Sequence, residues 1–159
     1  QSFKYGRIDI RAKVPYGPGI WPALWMLGDN FSTEGWPSCG EIDIMELIGG
    51  DGYNDRTVYG TAHWSNNGSH AEHSGDNSLT SGKYNDEFHV FSIVWDSGSI
   101  KWYRDDIQYH SLTISNLGAF KKKFFFILNI AVEGNWPGPV GPSTTFPQYM
   151  LVDYIRVFQ

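Results

Sequence analysis

Three carboxylates, Glu41, Asp43 and Glu46, lie close together in a short apolar stretch of the sequence. Side chains of a regular strand alternate between faces, so Glu41 and Asp43 would share one face and Glu46 would lie on the other. One extra residue, accommodated as a β-bulge at Ile44 and Met45, brings all three acids to the same side. Retaining glycosidases use two carboxyl groups about 5–5.5 Å apart, and two glutamates placed in this way fit that chemistry.

The ordinary alternative is a charged strand face whose acids are solvated or paired with lysines. No Lys or Arg lies between Gly35 and Asp55, so three acids on one face would repel one another without a neighbouring cation. A purely structural strand has no reason to keep that repulsion. We therefore interpret the segment as a catalytic site.

Composition narrows the class of protein. The chain has 159 residues, enough for one domain, and its 16% aromatic residues, 18 Gly and 8 Pro favour an all-β protein. A net charge of -5 argues against nucleic-acid binding, and no stretch has the ~20 apolar residues of a membrane span. No signal peptide opens the sequence. The single cysteine, Cys39, has no disulfide partner and is interpreted as a packing residue rather than a nucleophile.

Alternating and apolar runs predict strands around the carboxylate segment and at residues 5–14, 20–28, 57–64, 87–95, 99–104, 124–132 and 149–158. The last of these is mostly apolar, which predicts a central strand of a sandwich, where Asp153 would need a partner. Residues 30–39 and 66–86 are predicted loops, and residues 115–120 a single short turn.

Sugar sites combine flat aromatic side chains with fixed polar groups. Trp21 and Trp25 flank an apolar tripeptide, and Trp136 lies in a Gly- and Pro-rich loop after a predicted strand. His63 ends another predicted strand, where it would orient a carboxylate or a sugar hydroxyl. These residues are candidate platforms and contacts for a carbohydrate, although each Trp also fits ordinary core packing.

A metal site is the alternative for the polar segment at residues 66–86, which carries His70, Glu72, His73 and Asp76. This interpretation is disfavoured because a polar loop without a rigid frame rarely holds a tetrahedral site.

The segment GEIDIME resembles the signature of family 16 glycoside hydrolases. Further segments resemble parts of the bacterial laminarinases of that family: FKYGR, GIWPALWM, FILN, GNWPG and VDYIRV. The version with Met45 before the second glutamate is similar to β-1,3-glucanases and to some enzymes that cut algal polysaccharides. The similarity runs from the first residue to the last.

The resemblance implies a concanavalin A-like jelly-roll β-sandwich with a substrate cleft. It also implies retaining endo-hydrolysis of β-1,3-glucan (laminarin), extending to mixed β-1,3/1,4-glucan. Glu41 would be the nucleophile, Glu46 the general acid and base, and Asp43 the assisting carboxylate. The alternatives are a hydrolase of algal galactans (agar, carrageenan or porphyran) and a non-catalytic glucan-binding module.

The resemblance also assigns expected contacts away from the three acids. Expected substrate contacts are Trp21, Trp25, His63, Trp136 and Asn129, together with Asp9 and Arg11, which resemble a Glu-x-Arg pair that contacts sugar hydroxyls. Asp153 resembles a ligand of a structural calcium ion far from the cleft, and no cofactor is expected for catalysis.

The sequence departs from the family in two respects. Glu133 stands where the family has glycine, and residues 1–159 begin well inside the family's domain, so N-terminal strands of that domain are expected to lie outside this chain. We expect a separate N-terminal fragment or a strand-exchanged second copy to replace them. The expected partner is a polysaccharide, with neither nucleic acid nor membrane, and the expected location is secreted or extracellular.

Overall fold

Two five-stranded antiparallel sheets form a β-sandwich in the computed structural model, which describes residues 1–50 and 54–159. In chain order, the strands are β1 (Gly6–Lys13), β2 (Ile20–Gly28), β3 (Glu41–Leu47), β4 (Thr57–Asn66), β5 (Ser69–Ser78), β6 (His89–Trp95), β7 (Ser99–Arg104), β8 (Ile107–Thr113), β9 (Phe124–Val132) and β10 (Leu151–Phe158). The front sheet has the order β5-β4-β3-β2-β9 and the back sheet the order β10-β1-β6-β7-β8. The predicted all-β jelly-roll sandwich is confirmed.

Helical structure is confined to connections in the described part of the chain. Helix α1 (Phe31–Glu34) lies between β2 and β3, and two 3₁₀ turns span Asn54–Arg56 and Gly118–Lys121. Neither α1 nor these turns is long and apolar enough to cross a membrane.

The core lies between the sheets because every second strand residue points inward. Ile8 and Ile10 of the back sheet belong to the same fully buried cluster as Ile42 and Ile44 of the front sheet. Trp102 of β7 is also fully buried, and its indole Nε1 donates a hydrogen bond of 2.8 Å to the backbone carbonyl of Asp43. A core side chain of the back sheet thus holds the backbone of β3, the strand that carries the carboxylates.

Strands with strong alternation or apolar runs match the sequence prediction. β2, β7 and β9 have the predicted bounds, and β1, β4, β6 and β10 differ from them by a few residues at one or both ends.

The prediction of a loop at residues 66–86 is wrong, because β5 occupies much of it. Strands β4 and β5 are joined by Asn67 and Gly68, whose φ angles of 52° and 84° are those of a tight hairpin turn. Strand β8 was also missed, and Asp105 and Asp106, with φ of 48° and 63°, form the matching turn before it. Both strands lie at sheet edges, where polar and exposed residues hide the usual alternation.

Strand β10 is an edge strand within the described residues, not the predicted central one. Its apolar side chains Ile155 and Val157 line an open groove with Phe125 and Phe126 of β9, the corresponding edge of the front sheet. The opposite edges, β5 and β8, contact each other. The expected additional strands, whether from a separate fragment or a second copy, stay a prediction.

Candidate active site

Strand β3 contains the predicted bulge. Asp43 and Glu46 are three residues apart, yet their partners on β2 are Trp25 and Ala23, only two residues apart. The register with β4 shifts at the same place. The extra residue lies at Ile44 and Met45, which are both fully buried in the core. Because of this bulge, Glu41, Asp43 and Glu46 line one depression on the outer face of the front sheet.

The three acids lie in a cleft made of two adjoining depressions. The first is also lined by Trp21, Ala23, Trp25, Asn129 and Ala131. The second shares Trp21, Glu41 and Glu46 with the first and adds Trp36, Thr61, His63, His70, Glu72, Ser74 and Trp136. No Lys or Arg of the described ranges lines either depression.

Glu46 has the environment of a carboxylic acid that stays protonated. Its side chain is nearly buried, with the residue only 8% exposed, and Trp21 Nε1 donates a hydrogen bond of 3.0 Å to its Oε1. Burial is the main cause that raises the pKa of Glu46 to about 8. At neutral pH Glu46 is thus an acid with a proton to donate.

Asp43 is buried between the other two acids and is 2% exposed. Burial, the charge of Glu41 and a hydrogen bond with the Glu41 side chain all raise the pKa of Asp43 well above its usual range. This shift favours the protonated form of Asp43, which can donate a hydrogen bond to the Glu41 side chain.

Two aromatic side chains, Trp36 and His63, lie next to Glu41. Trp36 Nε1 donates a hydrogen bond of 2.8 Å to Glu41 Oε2, and His63 Nε2 lies 3.9 Å from Glu41 Oε1. The same His63 nitrogen lies 3.1 Å from Asp43 Oδ2, but the ring is not aligned for a hydrogen bond, and that oxygen accepts none from a described residue. The indole N–H of Trp36 therefore orients the carboxylate that would attack a sugar.

Aromatic side chains form the walls of the cleft. Trp136, which is 46% exposed, packs edge-on against Trp21 with ring centroids 5.3 Å apart, and the ring of Tyr59 also lies 5.3 Å from that of Trp136. Trp25 Nε1 donates a hydrogen bond of 2.8 Å to Asn129 Oδ1. The structure thus gathers five of the predicted contact residues around the acids: Trp21, Trp25, His63, Asn129 and Trp136. Their roles in binding a sugar stay predictions.

Sequence reasoning missed Trp36 and Tyr59. Trp36 lies in the connection before β3, and only the folded loop brings its indole to Glu41. Tyr59 carried a readable signal, since it alternates with Thr61 and His63 along β4 and pairs with Glu46. The predicted alternation of β4 would have placed all three on the cleft face.

The prediction that Asp9 and Arg11 contact the substrate is wrong for this structure. Strand β1 belongs to the back sheet, where Ile8 and Ile10 point into the core and the intervening Asp9 points outward, on the side of the sandwich away from the cleft. There Arg7 Nε lies 2.7 Å from Asp9 Oδ1. Arg11 pairs with β10 instead of lining the cleft.

Asp153 is half exposed rather than buried, because β10 is an edge strand. Its Oδ2 accepts a hydrogen bond of 2.7 Å from Arg11 Nη1, so a cation already occupies that side of the carboxylate. Asp153 belongs to no group of three or more metal-ligating side chains within the described residues. The structural calcium ion stays a prediction, and no step of the chemistry depends on it.

Glu133 takes the left-handed backbone conformation that favours glycine, with a φ of 63°. Its N–H donates a hydrogen bond of 2.7 Å to the carbonyl of Gly19, and its Oε1 accepts one of 3.2 Å from the N–H of Val140. A glycine would adopt this backbone conformation without strain, and these two hydrogen bonds hold Glu133 in it instead.

Comparison with known proteins identifies relatives along nearly the whole chain. The "Clotting factor G alpha subunit" of Tachypleus tridentatus is 40% identical over 164 residues, covering 100% of this chain and 23% of that protein. "Glucan endo-1,3-beta-glucosidase A1" of Niallia circulans is 38% identical over 171 residues, covering 99% of this chain and 25% of that protein. The chain therefore spans about a quarter of the length of these two relatives.

A solved structure shows the same arrangement of strands. The laminarinase catalytic domain of Thermotoga maritima superimposes with a TM-score of 0.88 at 48% identity, covering 99% of this chain and 64% of that one. The model of the family described as "Glycosyl hydrolases family 16" matches residues 1–156. Since this match includes the bulged strand with its three acids, the chain belongs to glycosyl hydrolases family 16.

Proposed function

We propose that the chain carries the catalytic groups of a retaining endo-β-1,3-glucanase that hydrolyses laminarin and also mixed β-1,3/1,4-glucan. One observation carries the proposal: a single bulged strand presents two glutamates to one cleft in different environments. Glu46 is buried with a pKa of about 8, whereas Glu41 is held by an indole N–H and by Asp43. An acid and a nucleophile in this relation are what retaining hydrolysis requires.

In the first step Glu46 gives its proton to the glycosidic oxygen as that oxygen leaves, while Glu41 attacks the anomeric carbon and forms a glycosyl ester. Asp43 donates its hydrogen bond to Glu41 before the attack and releases it as the charge of Glu41 is consumed. In the second step the ionised Glu46 takes a proton from water, and the resulting hydroxide displaces Glu41. Two inversions give net retention, and Glu46 is protonated again.

The lining of the cleft supports a neutral polymer as substrate. Trp21, Trp25 and Trp136 offer apolar ring faces for sugar C–H groups, and the polar groups beside them are an amide, two imidazoles, two hydroxyls and the acids. Sulfated galactans would require cations, and none of the described cleft residues is Lys or Arg. A binding module without activity would have no use for an acid kept protonated at neutral pH.

The test is a product assay on laminarin, lichenan, agarose and carrageenan, with Glu41→Gln as the inactive control. We expect new reducing ends from laminarin and lichenan and none from the two galactans. NMR of the first product should show the β-anomer. Cleavage of agarose or carrageenan would support the galactan alternative, and binding of laminarin without cleavage would support the binding module.

A polymeric glucan is too large to enter a cell, so we also propose that the protein acts outside the cell. Secretion is tested by locating the full-length protein in culture supernatant against a cytoplasmic marker. Retention with that marker would contradict this part of the proposal.

A further inference from the structure

The β4–β5 hairpin places two histidines and a glutamate side by side at one wall of the cleft. His63 of β4 is paired directly with Glu72 of β5, and His70 lies two residues before Glu72 on the same face. The hairpin closes through the tight Asn67–Gly68 turn. Much of the polar segment at residues 66–86 is therefore a strand, β5, and not a loop. The absence of a rigid frame, which disfavoured a metal site from the sequence, does not apply to this strand.

The distances among the three ligand atoms match those of a tetrahedral centre. His63 Nδ1 lies 3.0 Å from His70 Nε2 and 3.4 Å from Glu72 Oε2, and His70 Nε2 lies 3.8 Å from Glu72 Oε2. Zinc bonds to nitrogen and oxygen are about 2.0–2.2 Å long, which makes tetrahedral ligand atoms roughly 3.3–3.6 Å apart. An ion at bonding distance from all three atoms thus requires movements of only a few tenths of an ångström.

Asp43 provides a second, independent indication. Its Oδ2 is buried, accepts no hydrogen bond from a described residue, and lies 3.1 Å from His63 Nε2. An ion on His63 Nδ1 would fix the ring proton on Nε2, the ring nitrogen close to this oxygen, and the ring would have to turn to make the hydrogen bond. Metal-bound histidines usually donate their other N–H to a carboxylate in this way, which fixes the tautomer and strengthens the ligand.

The donor set selects the kind of ion. Two imidazole nitrogens and one carboxylate oxygen suit zinc, which often takes three protein ligands and leaves a fourth position to water or substrate. Calcium and magnesium prefer sites built from oxygen atoms alone. The side chains of His70 and Glu72 are 38% and 57% exposed, so an ion can reach the site from solvent.

We propose that His63 Nδ1, His70 Nε2 and Glu72 Oε2 form a zinc site that regulates the cleft. The ion would lie beside Trp36, whose ring centroid is 4.8 Å from that of His70, and on the far side of His63 from Asp43. There it narrows the space open to a sugar chain and draws the His63 ring toward itself. The expected consequence, which rests on the proposed function, is that bound zinc inhibits laminarin hydrolysis.

Binding is tested first, by calorimetric titration of the metal-free protein with zinc chloride. We expect one ion per chain, and a loss of affinity of at least about tenfold in His70→Ala and in Glu72→Gln. His73→Ala is the matched control: His73 is on the same strand and stacks on His110 at 3.1 Å between ring nitrogens, but it belongs to no three-ligand group of the described residues. Unchanged affinity in both ligand variants, or an equal loss in the control, would overturn the proposal.

Cobalt(II) tests the geometry without any substitution. A tetrahedral ion in the wild-type protein gives an intense visible absorption that zinc abolishes by displacement. A weak spectrum typical of six-coordinate cobalt would contradict the site. For regulation, zinc should slow laminarin hydrolysis by the wild type, and more zinc should be needed with Glu72→Gln. If laminarin is not cleaved at all, the proposed function fails, while calorimetry still decides whether the metal site exists.

Discussion

The outer faces of the two sheets both carry carboxylates, but the carboxylates are paired with arginines on the back sheet and not on the front sheet. On the back sheet each of the acids Asp9 and Asp153 lies 2.7 Å from an arginine nitrogen. On the front sheet the acids of β3 have no cationic side chain of Lys or Arg in the described cleft, and they contact indole N–H groups, an imidazole and one another.

The pKa values show what this difference does. Burial alone would raise the pKa of Asp105, in the β7–β8 turn of the back sheet, but hydrogen bonds from His89 and from the N–H of Val90 outweigh it and lower that pKa to about 2. For Glu46 the hydrogen bond from Trp21 does not outweigh burial, and the pKa rises to about 8. Paired acids stabilise the fold, whereas unpaired acids retain protons that chemistry can use.

The largest expected effect comes from Glu41→Gln, which removes the attacking carboxylate and keeps its shape. Laminarin hydrolysis should fall by more than about 1,000-fold because no glycosyl ester can form. Steady-state kinetics measure the loss, and Asp9→Asn, which changes a paired acid of the back sheet, should retain wild-type activity. Substantial turnover by Glu41→Gln would end the assignment of Glu41 as nucleophile.

Glu46→Gln should lower activity by roughly 100- to 10,000-fold on substrates with poor leaving groups and much less on activated aryl glycosides, which need no proton. In the wild type, hydrolysis should decline as the pH rises through about 8, where Glu46 loses its proton. The ratio of kcat values on the two substrate classes measures the effect. An equal loss on both would contradict the acid role.

The same Glu46→Gln substitution should stabilise the protein at high pH. Between pH 4.5 and about 8 the folded state keeps a proton that the unfolded state has lost, so the wild type loses stability as pH rises through that window. The variant should exceed the wild type by on the order of 2–4 kcal/mol at pH 9 and match it near pH 4. Urea denaturation across that range measures the difference.

Asp105→Asn is the opposite case and serves as the control for this stability test. A lowered pKa stabilises the folded state fully above pH 3.8, and that contribution is lost as the pH falls through about 2. The variant should therefore be less stable than the wild type at neutral pH. If Asp105→Asn stabilised the protein as Glu46→Gln does, the different pKa shifts of the two acids would not result from their hydrogen-bond partners.

The smallest effect is expected from Asp153→Asn, which breaks the pair with Arg11. Both partners are partly exposed, and exposed ion pairs contribute about 0–1 kcal/mol. Stability should change by less than about 1 kcal/mol and laminarin hydrolysis should be unchanged. A large loss of stability that calcium restores would instead favour Asp153 as a calcium ligand.

The sequence was most informative where a local rule decides the outcome. The phase of Glu46 against Glu41 predicted the bulge, since the period of a strand is fixed by backbone geometry. The same period predicted strand β1 but not the sheet to which it belongs. The resemblance to a Glu-x-Arg pair could not supply that information either, and it assigned Asp9 and Arg11 to the wrong side of the molecule.

Residues that reach the site through long-range folding were not predictable in this way. Trp36 contacts Glu41 only because the loop before β3 folds back over that strand. The zinc site depends on the pairing of His63 with Glu72, and β5 gave no strand signal because it is polar on both faces. The Asn67–Gly68 pair was the one local sign of that hairpin.

The hydrogen bond from Trp102 Nε1 to the Asp43 carbonyl ties the catalytic strand to the opposite sheet. Strand β7 has no side chain in the cleft, yet through Trp102 it holds the backbone of the bulged strand in position over the core. The alignment of the acids therefore depends on a strand that contributes no side chain to the cleft lining. Substitutions in β7 would move the backbone of β3 and so change the catalytic rate, while the residues that line the cleft stay the same. Selection could adjust turnover in this way without changing the catalytic residues.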